Sequence, residues 1–129
     1  MVEPARGTTQ DTRAILACIE RYFDGLYEGD LGALEEAFHP RARLVGVVRG
    51  EHGERGLAEY LAAVAARRSP RSLGEPRAMR LELVEHHGDT ALVRARIAML
   101  GFDYVDWLAL VRREGRWSIV HKLYTHVGA

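Results

Sequence analysis

The chain is short of cysteine and lysine: Cys18 and Lys122 are the single examples of each in 129 residues. A lone thiol excludes a disulfide framework and a cysteine-ligated metal site. The other 17 basic residues are arginine, which reads as the codon usage of a GC-rich genome. Neither charge sign is in excess, since 18 basic and 18 acidic residues cancel. That balance gives no pull toward nucleic acid or an anionic membrane. No apolar run approaches the roughly 20 residues that span a bilayer, and no signal peptide is visible. The expected location is therefore the cytoplasm. No nucleotide-binding motif is present, and none of the histidines pairs at helical ligand spacing beside a carboxylate. Neither a cofactor nor a metal is expected.

What the sequence does contain is ordinary for one globular domain: 47% hydrophobic and 28% charged residues. Its last third predicts three antiparallel strands, residues 90–100, 103–112 and 116–126. Gly101-Phe102 and Glu114-Gly115 are the expected two-residue turns. With Glu114-Gly115 as the loop, Leu110 faces Ile119, Leu108 faces His121 and Asp106 faces Leu123. With Gly101-Phe102 as the loop, Met99 faces Tyr104, Ile97 faces Asp106 and Ala95 faces Leu108. Strand side chains alternate between faces. One face then carries Val93, Ile97, Met99, Tyr104, Leu108, Leu110, Trp117, Ile119 and Leu123, with Asp106 and His121 as its only acidic or near-neutral titratable groups. The opposite face carries Arg94, Arg96, Lys122 and His126 among Val105, Trp107, Val111, Val120 and Tyr124. Such an apolar patch marks an interface, so a homodimer through this outer face is expected.

Ahead of these strands, residues 1–10 are expected to be flexible and residues 11–129 to form one domain. A first helix runs to about Glu28, with Thr9 or Asp11 as its cap and Ile15, Ile19, Tyr22 and Leu26 inward. Gly29 ends it, Asp30 caps a short second helix over 31–38, and Pro40 stops that one. A strand over 43–49 follows, then a polar turn at Gly50, Gly53 and Gly56. A third helix over 55–68 buries Leu57, Tyr60, Leu61 and Val64. After a loop over 69–76, a strand over 79–86 leads into the final three. A tight turn at Gly88-Asp89 would point Glu82 inward, so a bulge or longer loop is expected there. Helices segregated from an antiparallel sheet make an α+β fold, with the sheet curving around the helices.

The pieces Tyr22-Phe23-Asp24-Gly25-Leu26-Tyr27, Phe38-His39-Pro40-Arg41-Ala42, Gly88-Asp89-Thr90-Ala91, Asp106-Trp107-Leu108 and Gly115-Arg116-Trp117-Ser118-Ile119-Val120 resemble the nuclear-transport-factor-2-like superfamily. Within it they resemble the family named putative lumazine-binding. The resemblance runs from about Asp11 to His126. It implies a cone-shaped α+β fold, a cystatin-like roll with a pocket between sheet and helices, commonly dimeric through the sheet. Relatives include ketosteroid isomerase, scytalone dehydratase and polyketide cyclases of the SnoaL-like kind, as well as binding modules. Ketosteroid isomerase carries a general-base aspartate on its first strand. Here that strand reads Leu44-Val45-Gly46-Val47-Val48, which disfavours chemistry of that type.

Two functional readings follow. In one, the pocket binds a small molecule without turning it over. In the other, it performs metal-free acid–base chemistry on a small hydrophobic or aromatic substrate, as a lyase, isomerase or cyclase. The catalytic candidates are His121 as base or acid, Asp106 to orient it, and Tyr22 as hydrogen-bond donor to an oxyanion. Each also has a structural reading, as a core histidine, a helix-to-sheet anchor and a core aromatic. The ligand-binding candidates are Tyr60, Tyr104, Met99, Leu26 and Trp117. Arg67, Arg68 and Arg71 form either a solvated loop or a rim for an anionic ligand.

Overall fold

The computed structural model describes residues 5–128. Two helices, α1 (Ala5–Glu28) and α2 (Leu31–Ala37), lead into two strands, β1 (Phe38–Val48) and β2 (Glu51–Gly56), and a third helix, α3 (Leu57–Ala66), follows. Then come β3 (Ala78–His87), β4 (Thr90–Met99), β5 (Phe102–Arg113) and β6 (Arg116–Val127). The strands form one sheet in the order β2-β1-β6-β5-β4-β3. The α+β architecture is as expected, but the sheet is mixed, because β1 runs parallel to β6.

Local chemistry explains the boundaries. Gly29 takes a left-handed conformation at φ +70°, which ends α1. The Asp30 carboxylate accepts the Ala33 N–H at 3.2 Å and starts α2. The helix α1 begins at Ala5, inside the stretch expected to be flexible; for residues 1–4 that expectation lies outside the described residues. Neither Thr9 nor Asp11 caps α1, since both lie within it. The segment expected as a polar turn after β1 is itself an edge strand, β2. Three hairpin turns pair a left-handed non-glycine with a left-handed glycine: Arg49-Gly50, Leu100-Gly101 and Glu114-Gly115. Those are the conformations of a type I′ turn, whose twist suits a two-residue hairpin.

Because Leu100-Gly101 rather than Gly101-Phe102 is the loop, Met99 pairs with Phe102 and Ala95 with Asp106. The β4–β5 register thus moves by two residues, which leaves every side chain on its expected face. It also brings Arg94 opposite Trp107, with the guanidinium 5.4 Å from the ring centroid. Gly88-Asp89 forms a tight turn after all, and the bulge lies further along β3, between Leu81 and Leu83. That displaced bulge keeps Met79, Leu81 and Val84 packed on the core.

A second bulge matters more. In β5–β6, Leu110 pairs with Ile119 as expected, but the next pair is Ala109 with His121. The extra residue, Val120, inverts every later side chain of β6. His121 and Leu123 therefore turn to the outer face, while Lys122 and Tyr124 turn inward. The core lies between the inner sheet face and the helices, with Ile15, Ile19, Tyr22, Leu34, Phe38, Leu44, Leu108 and Ile119 all at 2% exposure or less. None of the helices among the described residues is long and apolar enough to cross a membrane.

Candidate functional site

The core opens toward one end into a cavity of about 590 Å³. Its walls include Gly46 and Val48 of β1, Tyr60 of α3, Ile97 and Met99 of β4, Tyr104 and Asp106 of β5, and Lys122 and Tyr124 of β6. β2 contributes Glu51, His52 and Gly53 at the mouth.

Two buried charges meet at its floor. Asp106 is 1% exposed and Lys122 6% exposed. The Lys122 ammonium lies 3.8 Å from Asp106 Oδ2 and donates to the Tyr60 hydroxyl at 3.3 Å. The Tyr22 hydroxyl donates to the same Asp106 oxygen in a short hydrogen bond. Three aromatic rings surround the ammonium: Tyr60 at 4.8 Å, Tyr124 at 4.9 Å and Tyr22 at 5.3 Å from nitrogen to centroid. Ring faces and a carboxylate are what a desolvated cation requires.

The electrostatics follow from this packing. Burial alone pushes the Lys122 pKa down, but the Asp106 carboxylate and Tyr60 outweigh it, and the net shift is upward. Lys122 therefore stays an ammonium ion at neutral pH. Burial first, and then the neighbouring Asp106 charge, push the Tyr22 phenol well above 10, so it keeps its proton and can donate to Asp106. Burial also raises Tyr104.

Gly46 has a steric role on β1. A Cβ there would run into the ring of Tyr124, its cross-strand partner in the β1–β6 pairing. The missing side chain is the space that lets Tyr124 lie across the strand and line the cavity.

These positions revise the expected site. Asp106 is at the cavity and Tyr22 reaches it, but His121 is on the opposite face of the sheet beside Ala109 and Arg43. The Asp106–His121 pair does not form, because the bulge at Val120 reverses the parity of β6. Lys122 takes the histidine's place. Tyr22 backs Asp106 from the core rather than lining the cavity. Tyr60, Tyr104 and Met99 do line it; Leu26 and Trp117 do not. Leu26 is enclosed in the core, and Trp117 sits near the Glu114-Gly115 hairpin, its ring under the Arg112 guanidinium at 5.4 Å. Among the described residues no group of three or more His, Cys, Asp or Glu is placed to hold a metal ion. The residues missed were Lys122, Tyr124 and Gly46. One signal for Lys122 was available: the only lysine in an arginine-dominated chain.

The sequence profile of the family described as putative lumazine-binding matches residues 10–125, nearly the whole chain. The chain belongs to that family. The putative lumazine-binding match agrees with the structural neighbours. A nuclear-transport-factor-2-like protein of unknown function from Shewanella baltica superimposes with a TM-score of 0.83 at 21% identity, over 94% of this chain and 97% of that one. Another, from Silicibacter pomeroyi, gives 0.78 at 25% identity over 93% and 98%. These establish the cone-shaped fold. Among curated proteins, an aldolase, FrzH, from a Cladobotryum species is 26% identical over 119 residues, spanning 91% of this chain and 92% of that enzyme.

Proposed function

We propose that the cavity is the active site of a metal-free carbon–carbon lyase or aldol-type enzyme acting on a small carbonyl compound. The observation that carries this reading is the buried ammonium ion of Lys122, shared between the Tyr60 hydroxyl and the Asp106 carboxylate at the cavity floor. The similarity to the FrzH aldolase supports it.

In this mechanism the substrate carbonyl oxygen binds at Lys122 and Tyr60. Asp106 removes a proton from the adjacent carbon. The C–H electrons form the enolate C=C, and the negative charge collects on the oxygen beside the ammonium ion. Attack of the enolate carbon on a second carbonyl forms the new C–C bond, and the Asp106 proton passes to the resulting alkoxide. Tyr22, donating to Asp106 from behind, fixes the carboxylate toward the cavity. Imine formation needs a neutral amine, and Asp106 and Tyr60 hold Lys122 in its charged form. The enolate route is therefore favoured over a Schiff base.

A second reading is a binding protein without turnover. It is favoured by the double use of Asp106, which accepts from Tyr22 while facing Lys122 and so resembles an anchored counter-ion. A fluorogenic β-hydroxyketone separates the two. The enzyme reading expects cleavage to ketone and aldehyde that is lost in Lys122→Met and is insensitive to borohydride. Binding with no cleavage favours the receptor, and inactivation by borohydride with substrate would reinstate the imine.

A further inference from the structure

Arg67 closes α3 and leaves it in an extended conformation, φ −105° and ψ 162°, at the wall of the same cavity. Its basic neighbours in the following segment are engaged elsewhere. Arg68 donates to the Ser72 carbonyl at 3.2 Å, and Arg71 pairs with Glu28 at 2.6 Å. Arg77 bridges Glu20 and Asp24 at 2.6 and 2.8 Å. The segment is further pinned to α1 by the Arg71 N–H to the Tyr27 carbonyl and by the Tyr27 hydroxyl to the Glu75 carbonyl. Arg67 differs: its Nη2 is buried and meets no hydrogen-bond partner among the described residues. A buried guanidinium N–H left unbonded is costly, and native structures rarely keep one without use.

The charge of Arg67 reaches the reaction centre. It offsets part of the rise that burial gives the Tyr104 phenol, as Lys122 does, and to a smaller extent that of Tyr22. The cavity wall also presents Arg49 and Arg55, so four fixed cations face two carboxylates, Glu51 and Asp106. Asp106 is already matched to Lys122 and Tyr22.

We propose that the substrate is an anion, a keto acid, whose carboxylate is received by Arg67 while its carbonyl oxygen lies at Lys122 and Tyr60. A planar carboxylate offers the acceptor that the Nη2 donor lacks, and charge-assisted N–H···O bonds in a half-enclosed cavity are strong ones. The proposal names the substrate class of the site described above and rests on that cavity being the working one. The two ends of the ligand have separate receptors, so its charge sets affinity through Arg67 and its carbonyl sets reactivity through Lys122.

The test is binding, measured by calorimetry with keto acids of different spacing and their neutral amides: benzoylformate, 3-benzoylpropionate and 4-benzoylbutyrate. At least one acid should bind the native protein about tenfold or more tightly than its own amide. That preference should fall to near unity in Arg67→Gln and be partly retained in Arg67→Lys, which keeps the charge but not the fork. The native comparison alone decides if Arg67→Gln does not fold. Equal affinity for every acid and amide in the native protein, no binding at millimolar concentration, or a preference that survives in folded Arg67→Gln would each overturn the proposal. Because binding is read rather than turnover, an acid preference without any reaction would reject the lyase reading and leave the anion site standing.

Discussion

Replacing Lys122 with methionine tests the buried charge pair. Methionine keeps most of the apolar stem but removes the ammonium, leaving the Asp106 carboxylate at 1% exposure with Tyr22 as its donor. Breaking a buried ion pair from one side costs about 3–5 kcal/mol, because the surviving charge is uncompensated. The 3.8 Å separation is longer than a direct hydrogen bond, which argues for the lower end, about 3 kcal/mol. For a chain of this size that is a fall in melting temperature of roughly 10 °C. The second half of the cycle is Lys122→Met combined with Asp106→Asn. The asparagine still accepts from Tyr22 and carries no charge, so the double variant should be more stable than Lys122→Met alone by about 1–2 kcal/mol. Urea denaturation followed by circular dichroism measures all four corners. A loss below about 1 kcal/mol in the single variant, the size of a surface pair, would show that Asp106 does not depend on the Lys122 charge. So would a double variant whose loss is the plain sum of the two single losses.

Gly46→Ala should leave the fold intact but push the Tyr124 ring into the cavity, costing about 1–3 kcal/mol and abolishing binding of the carbonyl probes. Unchanged binding would remove Tyr124 from the site. Trp117→Ala, at a residue 3% exposed, should cost about 3–5 kcal/mol, and an unchanged melting temperature would contradict its place in the core. Tyr22 and Lys122 both have pKa values raised by folding, so the stability they supply is complete below their unfolded values and drains away as pH climbs through the folded ones. Melting temperature should therefore fall above about pH 10, less steeply in Tyr22→Phe; identical slopes would count against the Tyr22 assignment. The outer face joins Val105, Trp107 and Val111 to the exposed Leu83, Leu92 and Leu123, and we propose that it is covered by a second copy of the chain. Sedimentation at micromolar concentration should give a dimer, and a clean monomer would reject that interface.

Most of the fold was legible because it rests on periodicity. Ile15, Ile19, Tyr22 and Leu26 mark one helix face, and the X-Gly turns mark the hairpins. A two-residue error at Leu100-Gly101 was harmless, since strand parity is conserved over even shifts. The strand β2 was hidden because Glu51–Gly56 is polar throughout, with two glycines, and an edge strand needs no apolar face. The candidate site was half legible. Asp106 and Tyr22 follow from strand and helix phase, and they meet as the phase requires. Lys122 did not follow, because the bulge at Val120 exposes Leu123 and buries a lysine. Hydropathy argues against that arrangement at both Lys122 and Leu123. A local choice that opposes hydropathy is stable here only because Asp106, Tyr60 and the surrounding rings receive the ammonium, and such violations concentrate at functional sites. The first strand was noticed for the carboxylate it lacks, whereas the contribution of Gly46 within it is room for Tyr124.

In the proposed reaction Asp106 and Lys122 together enolise a bound carbonyl compound. Solvent exchange at the carbon next to the carbonyl reads that step without needing the natural partner of the reaction. With 3-benzoylpropionate in D2O, proton NMR should show the methylene beside the ketone losing intensity faster with native protein than in buffer alone. The acceleration should vanish in folded Asp106→Asn and in folded Lys122→Met. Exchange at the buffer rate by native protein that demonstrably binds the probe, or acceleration that persists in Asp106→Asn, would contradict it.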